Sequence, residues 1–529
     1  MHNKYIILTT NICLTNQFGG NKKKQWNTLS HNGVLFPPEY IQHNIPLLYK
    51  NNKIYLDKES EEYATIYAKY HDSEYINNKY FKTNFWKDWK KILNNKYNID
   101  NLDDCDFSLM YDYILNKPKI KQEQDQENKY KIAIIDGKEQ PVGNYRVEPP
   151  GIFIGRGCNP KLGKIKKRIL PEDITINIGK EAKIPELVNN QKWGNIIHDK
   201  TSIWLASWKD DITGKIKYVW LGNHSDAKIK SDIYKFDLAR KLKKKIKIII
   251  EENQRNLNNQ DINMRQIATA LYLIYKLALR VGNEKGEDET DTVGITSLRK
   301  EHIFLLDNNK IKLDFLGKDS VRYINTVTVD NQVYTNLHEF IKDKTKDDDI
   351  FDKINSQDIN KYLQTFMKEL TAKVFRTYNA SNLFQKELKK INKKYETYDE
   401  IDKIDILLNE FNSANAKVAL LCNHQKNISK SFKDTVDKLD SQIKKLKYKL
   451  KSAKNQDKIK SKIEKLKNKK NLKVQLKNVS LGTSKINYID PRITVAFMKK
   501  HNLNIDKVFS KTLQEKFKWA FNVDVNFKF

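Results

Sequence analysis

Cationic side chains are what this sequence supplies most freely for chemistry. Of its 529 residues, 97 are Lys or Arg against 66 Asp or Glu, a formal charge of +31. Such a chain repels itself unless a polyanion screens it. Nucleic acid is the usual polyanion, and a basic protein binds it by releasing condensed counterions. A proteome rich in Lys, Asn and Ile would also raise the charge, so charge alone names no reaction. The signatures of metal-assisted phosphate chemistry are missing from the sequence: there is no His-Glu-x-x-His, no His-x-His and no acidic cluster of the two-metal kind. Nor is there a Gly-x-x-x-x-Gly-Lys-Ser/Thr loop for an ATP motor. A protein that cuts a phosphodiester with neither must neutralise the phosphorane with its own cations. It must also attack with a side chain and protonate the leaving oxygen. The 26 tyrosines, 10 histidines and many cations furnish the types, and position must select among them.

The elements that would position such residues are legible in outline. At about 150 residues per domain, the length predicts about three or four units. Hydrophobic residues at 39% and aromatics at 11% suffice for real cores. Cys13, Cys105, Cys158 and Cys422 form no Cys-x-x-Cys pair, which argues against a zinc site or a disulfide framework and fits a reducing compartment. No apolar run approaches the ~18 residues of a membrane span. Tyr5–Leu14 is interrupted by Thr9, Thr10 and Asn11 and makes a poor signal peptide. Residues 1–20 read as a loose tail.

Residues 21–225 mix short strands and helices. Trp86–Lys91 reads as a basic amphipathic turn, and residues 117–128 as a polar, exposed stretch. Glu148–Gly157 carries glycines that permit unusual backbone angles and close approach to a ligand, although an ordinary turn would look the same. Residues 226–425 are mainly helical. Ile267, Leu271, Ile274, Ala278 and Val281 recur at helix spacing, which predicts a helix ending near Gly282 and Asn283, with Arg280 in its last turn. Lys310–Val329 alternates as a β-hairpin with Lys318 near its tip, and helix returns over 359–393. Residues 426–477 hold 19 Lys against five acids, so this segment is either a solvated arm or a DNA-facing one. Val436, Leu439, Ile443, Leu446, Leu450 and Ala453 follow a 4-3 spacing. Asn455–Asp457 breaks it, and Ile459, Ile463 and Leu466 resume it, as in an antiparallel coiled coil. Residues 478–529, with Phe517, Trp519 and Phe521, are compact again.

Five stretches together carry a resemblance to a known family. Leu277–Lys285 around Arg280 resembles the first active-site arginine segment of the eukaryotic-type DNA topoisomerases of class IB. Asp314–Ser320 around Lys318 resembles their catalytic-lysine segment, and Ala372–Ser381 around Arg376 their second arginine segment. Leu421–Gln425 around His424 resembles the histidine segment, and Ser484–Ile493 around Tyr488 the nucleophile segment. All five stand in the family's chain order, and the similarity runs from about Trp26 to the C-terminus. Singly, each residue has a bland reading: an arginine paired in a core, a satisfied buried histidine, one tyrosine among many. Jointly they do not.

The resemblance implies a mechanism. Tyr488 is the nucleophile, and because a phenol ordinarily ionises only near pH ~10, nearby cations must favour its anion. Arg280 and Arg376 clamp nonbridging oxygens with two donors each, His424 adds another, and Lys318 is the general acid for the 5′-hydroxyl. Lys373, Asn283 and Gln425 are expected at the DNA. Arg156, Asp319 and Asn487 match the family's contacts to camptothecin-type inhibitors.

The resemblance also implies an α+β clamp with a mixed α/β cap, residues 21–225, comprising core subdomains I and II. A mainly helical catalytic lobe of the tyrosine recombinase and topoisomerase IB type is expected over 226–425. It is completed by a C-terminal domain over 478–529, with the coiled-coil linker 426–477 between them. Double-stranded DNA is the expected partner of a monomer with no membrane association. No cofactor is required, neither ATP nor a metal, and a divalent cation is at most stimulatory. The nucleus is the expected location in a cell, and the viral factory or virion for a large DNA virus. Two departures from the family are a shorter linker and no long, charged extension ahead of Trp26. A tyrosine recombinase shares the chemistry, but usually has His-x-x-Arg where this chain has Lys373-x-x-Arg376, and lacks the coiled coil. An architectural DNA-binding protein would need the same basic surface without the filled catalytic positions.

Overall fold

The chain folds as two units, Met1–Lys230 together with Lys285–Asp291, and Ser231–Glu284 together with Thr292–Phe529. The computed structural model describes residues 24–118, 127–188, 191–283, 285–286, 289–398, 403–426, 428, 431–451 and 456–529. The tail expected over 1–20, most of the polar stretch 117–128 and Ala453 of the 4-3 pattern lie outside the described residues. Among the described residues, no helix is long and apolar enough to cross a membrane.

The first unit has two cores. In one, Phe81, Phe85, Trp89 and Leu93 recur every fourth residue along Lys79–Leu93 and are buried. Asn78 caps that helix by accepting from the Phe81 amide, and Asn94 ends it in a left-handed conformation. The Trp86–Lys91 stretch therefore belongs to a full helix and is no isolated turn, because the apolar stripe already begins at Phe81, ahead of the basic cluster. Helices Lys58–Ala68 and Ser108–Asn116 share this core, where Tyr67 stacks on Phe85 at 4.1 Å. The other core lies under antiparallel strands Leu29–His31, Ile132–Ile135 and Lys138–Pro141. A second sheet, ordered Asn195–Ile197, Thr175–Asn177, Trp204–Lys209, Ile216–Trp220, completes it. Glu148–Gly157 enters as the strand Gly151–Ile152, paired with Ile165–Lys166, and turns at Gly157, whose φ is +62°.

The second unit is built on one buried helix, Ile262–Leu277, whose residues Gln266 to Ile274 are all inaccessible. Its buried Gln266 donates to Asp352 at 2.9 Å, and its buried Thr269 accepts from Asn336 at 3.1 Å. Helices Ala372–Lys394 and Ser356–Phe366 pack on it, and Lys403–Leu421 packs on the former. The single helix expected over 359–393 is thus two. Met367–Thr371 leaves helical geometry, and the Ala372 amide is taken up by the Asn360 side chain at 3.0 Å. The alternating segment is a hairpin, Lys310–Gly317 against Val321–Thr328, flanked by Ile303–Leu306, and Lys318 stands at its tip. In the Lys-rich region, Phe432–Leu450 packs on Gln456–Gln475, with Leu439, Ile443 and Ile463 buried and Asp440 paired with Lys470 at 2.6 Å. Gln456 and Asp457, expected in the break, belong to the second of these helices, and Asn455 lies outside the described residues.

The helix carrying Ile267 ends sooner than its periodicity implied. Ala278 adopts the left-handed conformation, φ 51° and ψ 32°, so Arg280 lies beyond the helix in extended chain. Ala278 and Leu279 remain buried, and apolar periodicity reports burial without reporting where helical geometry stops. The segment then passes directly across another. A Cβ built on Gly294 would lie 2.4 Å from the Gly282 Cα, and one on Gly282 would lie 2.8 Å from the Gly294 Cα. Gly282 also holds φ +91°. The crossing is stitched by Ile295 N–H to Arg280 O at 3.0 Å and Thr296 N–H to Val281 O at 2.7 Å.

Gly294→Ala should therefore destabilise the second unit by about 1–3 kcal/mol through overpacking against rigid backbone. Gly482 sits in a helix with nothing within 4 Å of its would-be Cβ. Gly482→Ala should gain about 0.5–1 kcal/mol. Thermal denaturation of both variants checks the pair. Equal melting temperatures would contradict the crossing.

Candidate active site

Arg376 lies in the second turn of Ala372–Lys394 and is only 4% exposed. Among the described residues no carboxylate pairs with it. Its Nη1 donates to the Ala278 carbonyl at 2.7 Å, and its Nη2 to the Cys422 carbonyl. Ala278 caps Ile262–Leu277, and Cys422 directly follows Lys403–Leu421. Two helix C-termini, each with partial negative charge, thus compensate the buried cation. Among the described residues its Nε has no hydrogen-bond partner. Burial lowers this guanidinium's affinity for its proton most, Cys422 opposes that, Arg280 lowers it further and Tyr488 raises it. An arginine keeps its charge regardless.

His424 follows Cys422 by two residues and is also buried. Its Nε2 is 3.4 Å from Arg376 Nη2, and its Nδ1 is 2.7 Å from Ser484 Oγ. Burial, then the charges of Arg376 and Arg280, push the imidazole down to about 3, so it is neutral at physiological pH. The ring lies against Tyr488, with centroids 5.3 Å apart and planes 24° off parallel. The Arg376 guanidinium stands 5.1 Å from the same tyrosine ring.

Tyr488 ends the short helix Leu481–Asn487 and is half-buried. Ser381, on the same helix as Arg376, brackets its backbone. The Ser381 hydroxyl donates to the Tyr488 carbonyl at 2.9 Å and accepts from the Asp490 amide at 3.0 Å. Asp490 is fully buried, caps Pro491–Lys500 and pairs with Arg492 at 2.8 Å, which in turn reaches Asp237 at 2.8 Å. Burial raises the Asp490 carboxyl, and Arg492 opposes it.

The structure thus brings Arg376, His424 and Tyr488 together, with Arg280 half-buried and within electrostatic reach of the first two. Lys318 is exposed, and no described contact joins its ammonium to the other four. Its hairpin is nevertheless tied to both neighbouring segments. Val293 N–H donates to Leu316 O at 2.8 Å, while the Arg322 carbonyl accepts from Asn423 at 3.3 Å and Gln425 at 3.2 Å. Two left-handed residues, Asp319 and Ser320, with φ 68° and 57°, shape the tip beside Lys318.

Among the other candidates, Lys373, Asn487 and Gln425 are exposed. Asn283 is exposed too, and its Oδ1 accepts from Ser356 at 2.8 Å, which gives it a structural partner. Arg156 is exposed in the first unit, on a turn where the Thr290 hydroxyl donates to its carbonyl at 3.2 Å. Sequence reasoning missed Ser381 and Ser484. Both lie inside the stretches singled out, but their hydroxyls act on partners 107 and 60 residues away, a relation no local spacing displays.

Comparison with known proteins came out as follows. The chain matches the family models for the eukaryotic DNA topoisomerase I DNA binding fragment over residues 24–221, its catalytic core over 224–457, and the C-terminal topoisomerase domain over 460–529. It is 43% identical to DNA topoisomerase 1 beta of Arabidopsis thaliana, over 96% of this chain and 60% of that protein. It is 42% identical to DNA topoisomerase 1 of Caenorhabditis elegans, over 94% of this chain and 67% of that one. With DNA topoisomerase 1 of Homo sapiens the identity is 40%, over 96% and 72%. The chain thus spans 60% of the length of the plant relative it matches.

The neutral imidazole has a consequence for stability. His424 falls from 6.5 to about 3 on folding, so below pH 6.5 the unfolded chain holds a proton that the folded chain does not. Its contribution is complete above that pH and is lost as pH falls towards the folded value. His31, pushed down to about 4 by burial, adds the same dependence in the first unit. Unfolding free energy should decline from pH 6.5 towards pH 4. His424→Gln should flatten that slope for the second unit by up to about 1.4 kcal/mol per pH unit. Denaturant titrations across this range check it, and an unaltered slope in the variant would mean the imidazole is charged in the fold.

Proposed function

The chain belongs to the eukaryotic DNA topoisomerase I family, and from that premise we propose that it relaxes supercoiled duplex DNA by cutting and resealing one strand through Tyr488. The observation that carries the reading is the stacking of Tyr488 against a neutral imidazole and beside a guanidinium with an unpartnered Nε. Such a cluster has donors waiting for an anion.

In this reading the Tyr488 phenol oxygen attacks the scissile phosphorus and its proton passes to water. The bond from phosphorus to the 5′ oxygen breaks, and Lys318 supplies the proton that makes a 5′-hydroxyl. The 3′ end is left as a phosphotyrosine ester. Arg280, Arg376 and His424 hold the nonbridging oxygens through the crowded phosphorane. Resealing is the same exchange in reverse. One diester replaces another at each step, so neither ATP nor a metal is called for. While the ester persists, the free strand rotates and relaxes supercoils of either sign.

The net charge of +31 supports duplex DNA as the partner, held mostly at phosphates and so with weak sequence preference. The remaining assignments belong to the same proposal: a monomeric clamp with cap residues 21–225, catalytic residues 226–425 and 478–529, and a coiled-coil linker over 426–477. The buried seam of Leu439, Ile443 and Ile463 supports the linker. Lys373 and Gln425 face DNA, and Arg156, Asp319 and Asn487 receive camptothecin-type inhibitors. The nucleus, or a viral factory or virion, is where such DNA would be met.

Relaxation of a negatively supercoiled plasmid with EDTA and no ATP should go to completion. Tyr488→Phe should abolish both relaxation and the denaturant-stable adduct, while keeping DNA affinity. Arg376→Ala should slow cleavage by about 100- to 1000-fold, the usual loss for one transition-state donor. On end-labelled duplex the adduct should be 3′-linked. A 5′-linked adduct, or activity surviving in Tyr488→Phe, would overturn the reading.

A further inference from the structure

Every hydrogen-bonding position of His424 can be accounted for. Its Nε2 faces Arg376 Nη2 at 3.4 Å, and a guanidinium nitrogen can only donate. With no anion between them, Nε2 must therefore present its lone pair. The ring, being neutral, then carries its proton on Nδ1, which points at Ser484 Oγ at 2.7 Å. Ser484 is fully buried, and its hydroxyl can accept that proton's hydrogen bond or donate one of its own. A phosphate oxygen arriving at Arg376 reverses the demand, because Nε2 must now donate.

We propose that Ser484 is the positioning residue that sets the tautomer of His424, accepting from Nδ1 in the free protein and donating to Nδ1 when a phosphate oxygen sits at Nε2. Protons balance. The imidazole gives up the proton on Nδ1, takes one on Nε2 through water, and stays neutral throughout. The Ser484 hydroxyl rotates and keeps its partner in both states. Histidine thereby gains a donor for the anion without a second positive charge beside Arg376, where the surroundings already hold the ring neutral. Ser484 is also one turn before the nucleophile, and its carbonyl accepts from the Tyr488 amide at 3.0 Å. One residue thus fixes the proton of the histidine and the backbone of the tyrosine.

The inference rests on the topoisomerase reading for its kinetic consequence, and the experiment separates the two. Single-turnover cleavage of a short duplex oligonucleotide would be measured in the wild type, Ser484→Ala, Ser484→Thr, His424→Ala and the double variant Ser484→Ala/His424→Ala. Ser484→Ala should slow cleavage by about tenfold, and Ser484→Thr, which keeps the hydroxyl, should stay within about twofold. In the His424→Ala background, Ser484→Ala should cost nothing further. An equal loss in both backgrounds would make Ser484 merely structural, and no loss in either would overturn the proposal outright. Nitrogen NMR of 15N-histidine-labelled full-length protein gives a readout independent of cleavage and of any variant's folding. The His424 Nδ1 resonance should move from the protonated to the unprotonated range when inorganic phosphate is added, and an unmoved resonance would refute the switch. A wild type that forms no Tyr488 adduct, yet shows the nitrogen shift, would sink the functional reading while leaving the Ser484 contact standing.

Discussion

One buried cation without a carboxylate organises the second unit. Removing a guanidinium from water costs several kcal/mol unless its donors are met, and a paired acid is the usual remedy. Here the remedy is main-chain dipole. The carbonyls of Ala278 and Cys422 meet Arg376 from the ends of two helices. A carboxylate would have cancelled the charge, whereas two carbonyls engage Nη1 and Nη2 and leave the field positive. Burial first, and then that residual field, keep His424 neutral. The left-handed exit at Ala278 and the uncancelled positive field at the site thus meet at Arg376.

Tyr488 is held by a different logic. Tyr488 sits in the corner between Leu481–Asn487 and Pro491–Lys500, and both sides of the corner are fastened to Ser381. Because Ser381 and Arg376 share a helix, the distance between the guanidinium and the Tyr488 backbone is set by a rigid rod of little more than one turn. Asp490, capped onto the next helix and paired with Arg492, prevents the corner from opening. Such bracing keeps reacting groups near their attack geometry without spending substrate binding energy on it.

Much of this was legible in the sequence, for reasons particular to each element. The Lys310–Val329 hairpin could be read because alternation over two strands admits one pairing, and its tip falls where the alternation lapses around Gly317–Asp319. The family could be read from the five stretches because each keeps its neighbours as well as its key residue. Helix ends could not. Leu277, Ala278 and Leu279 are uniformly apolar, and nothing in their types says that the backbone turns left-handed at Ala278 to serve an arginine 98 residues later. Met367–Thr371 hid its break differently, because Met367, Lys368, Glu369 and Leu370 are all good helix formers. Ser381 and Ser484 were invisible as functional residues because a hydroxyl's role depends wholly on what it faces, and both face distant chain. The Trp86–Lys91 stretch was judged by its charges, while the structure judged it by Phe81 and Phe85.

The crossing of Gly282 and Gly294 has a consequence for inheritance. At most tight contacts in a protein, a disruptive substitution can be rescued by trimming the side chain it strikes. Here each glycine strikes the main chain of the other, and main chain cannot be trimmed. The two positions form a pair with no compensatory partner: a lineage that loses one can recover only by reversion. The path from the buried helix past Arg280 is therefore a place where drift is closed off, even though neither glycine has a side chain to offer any chemistry.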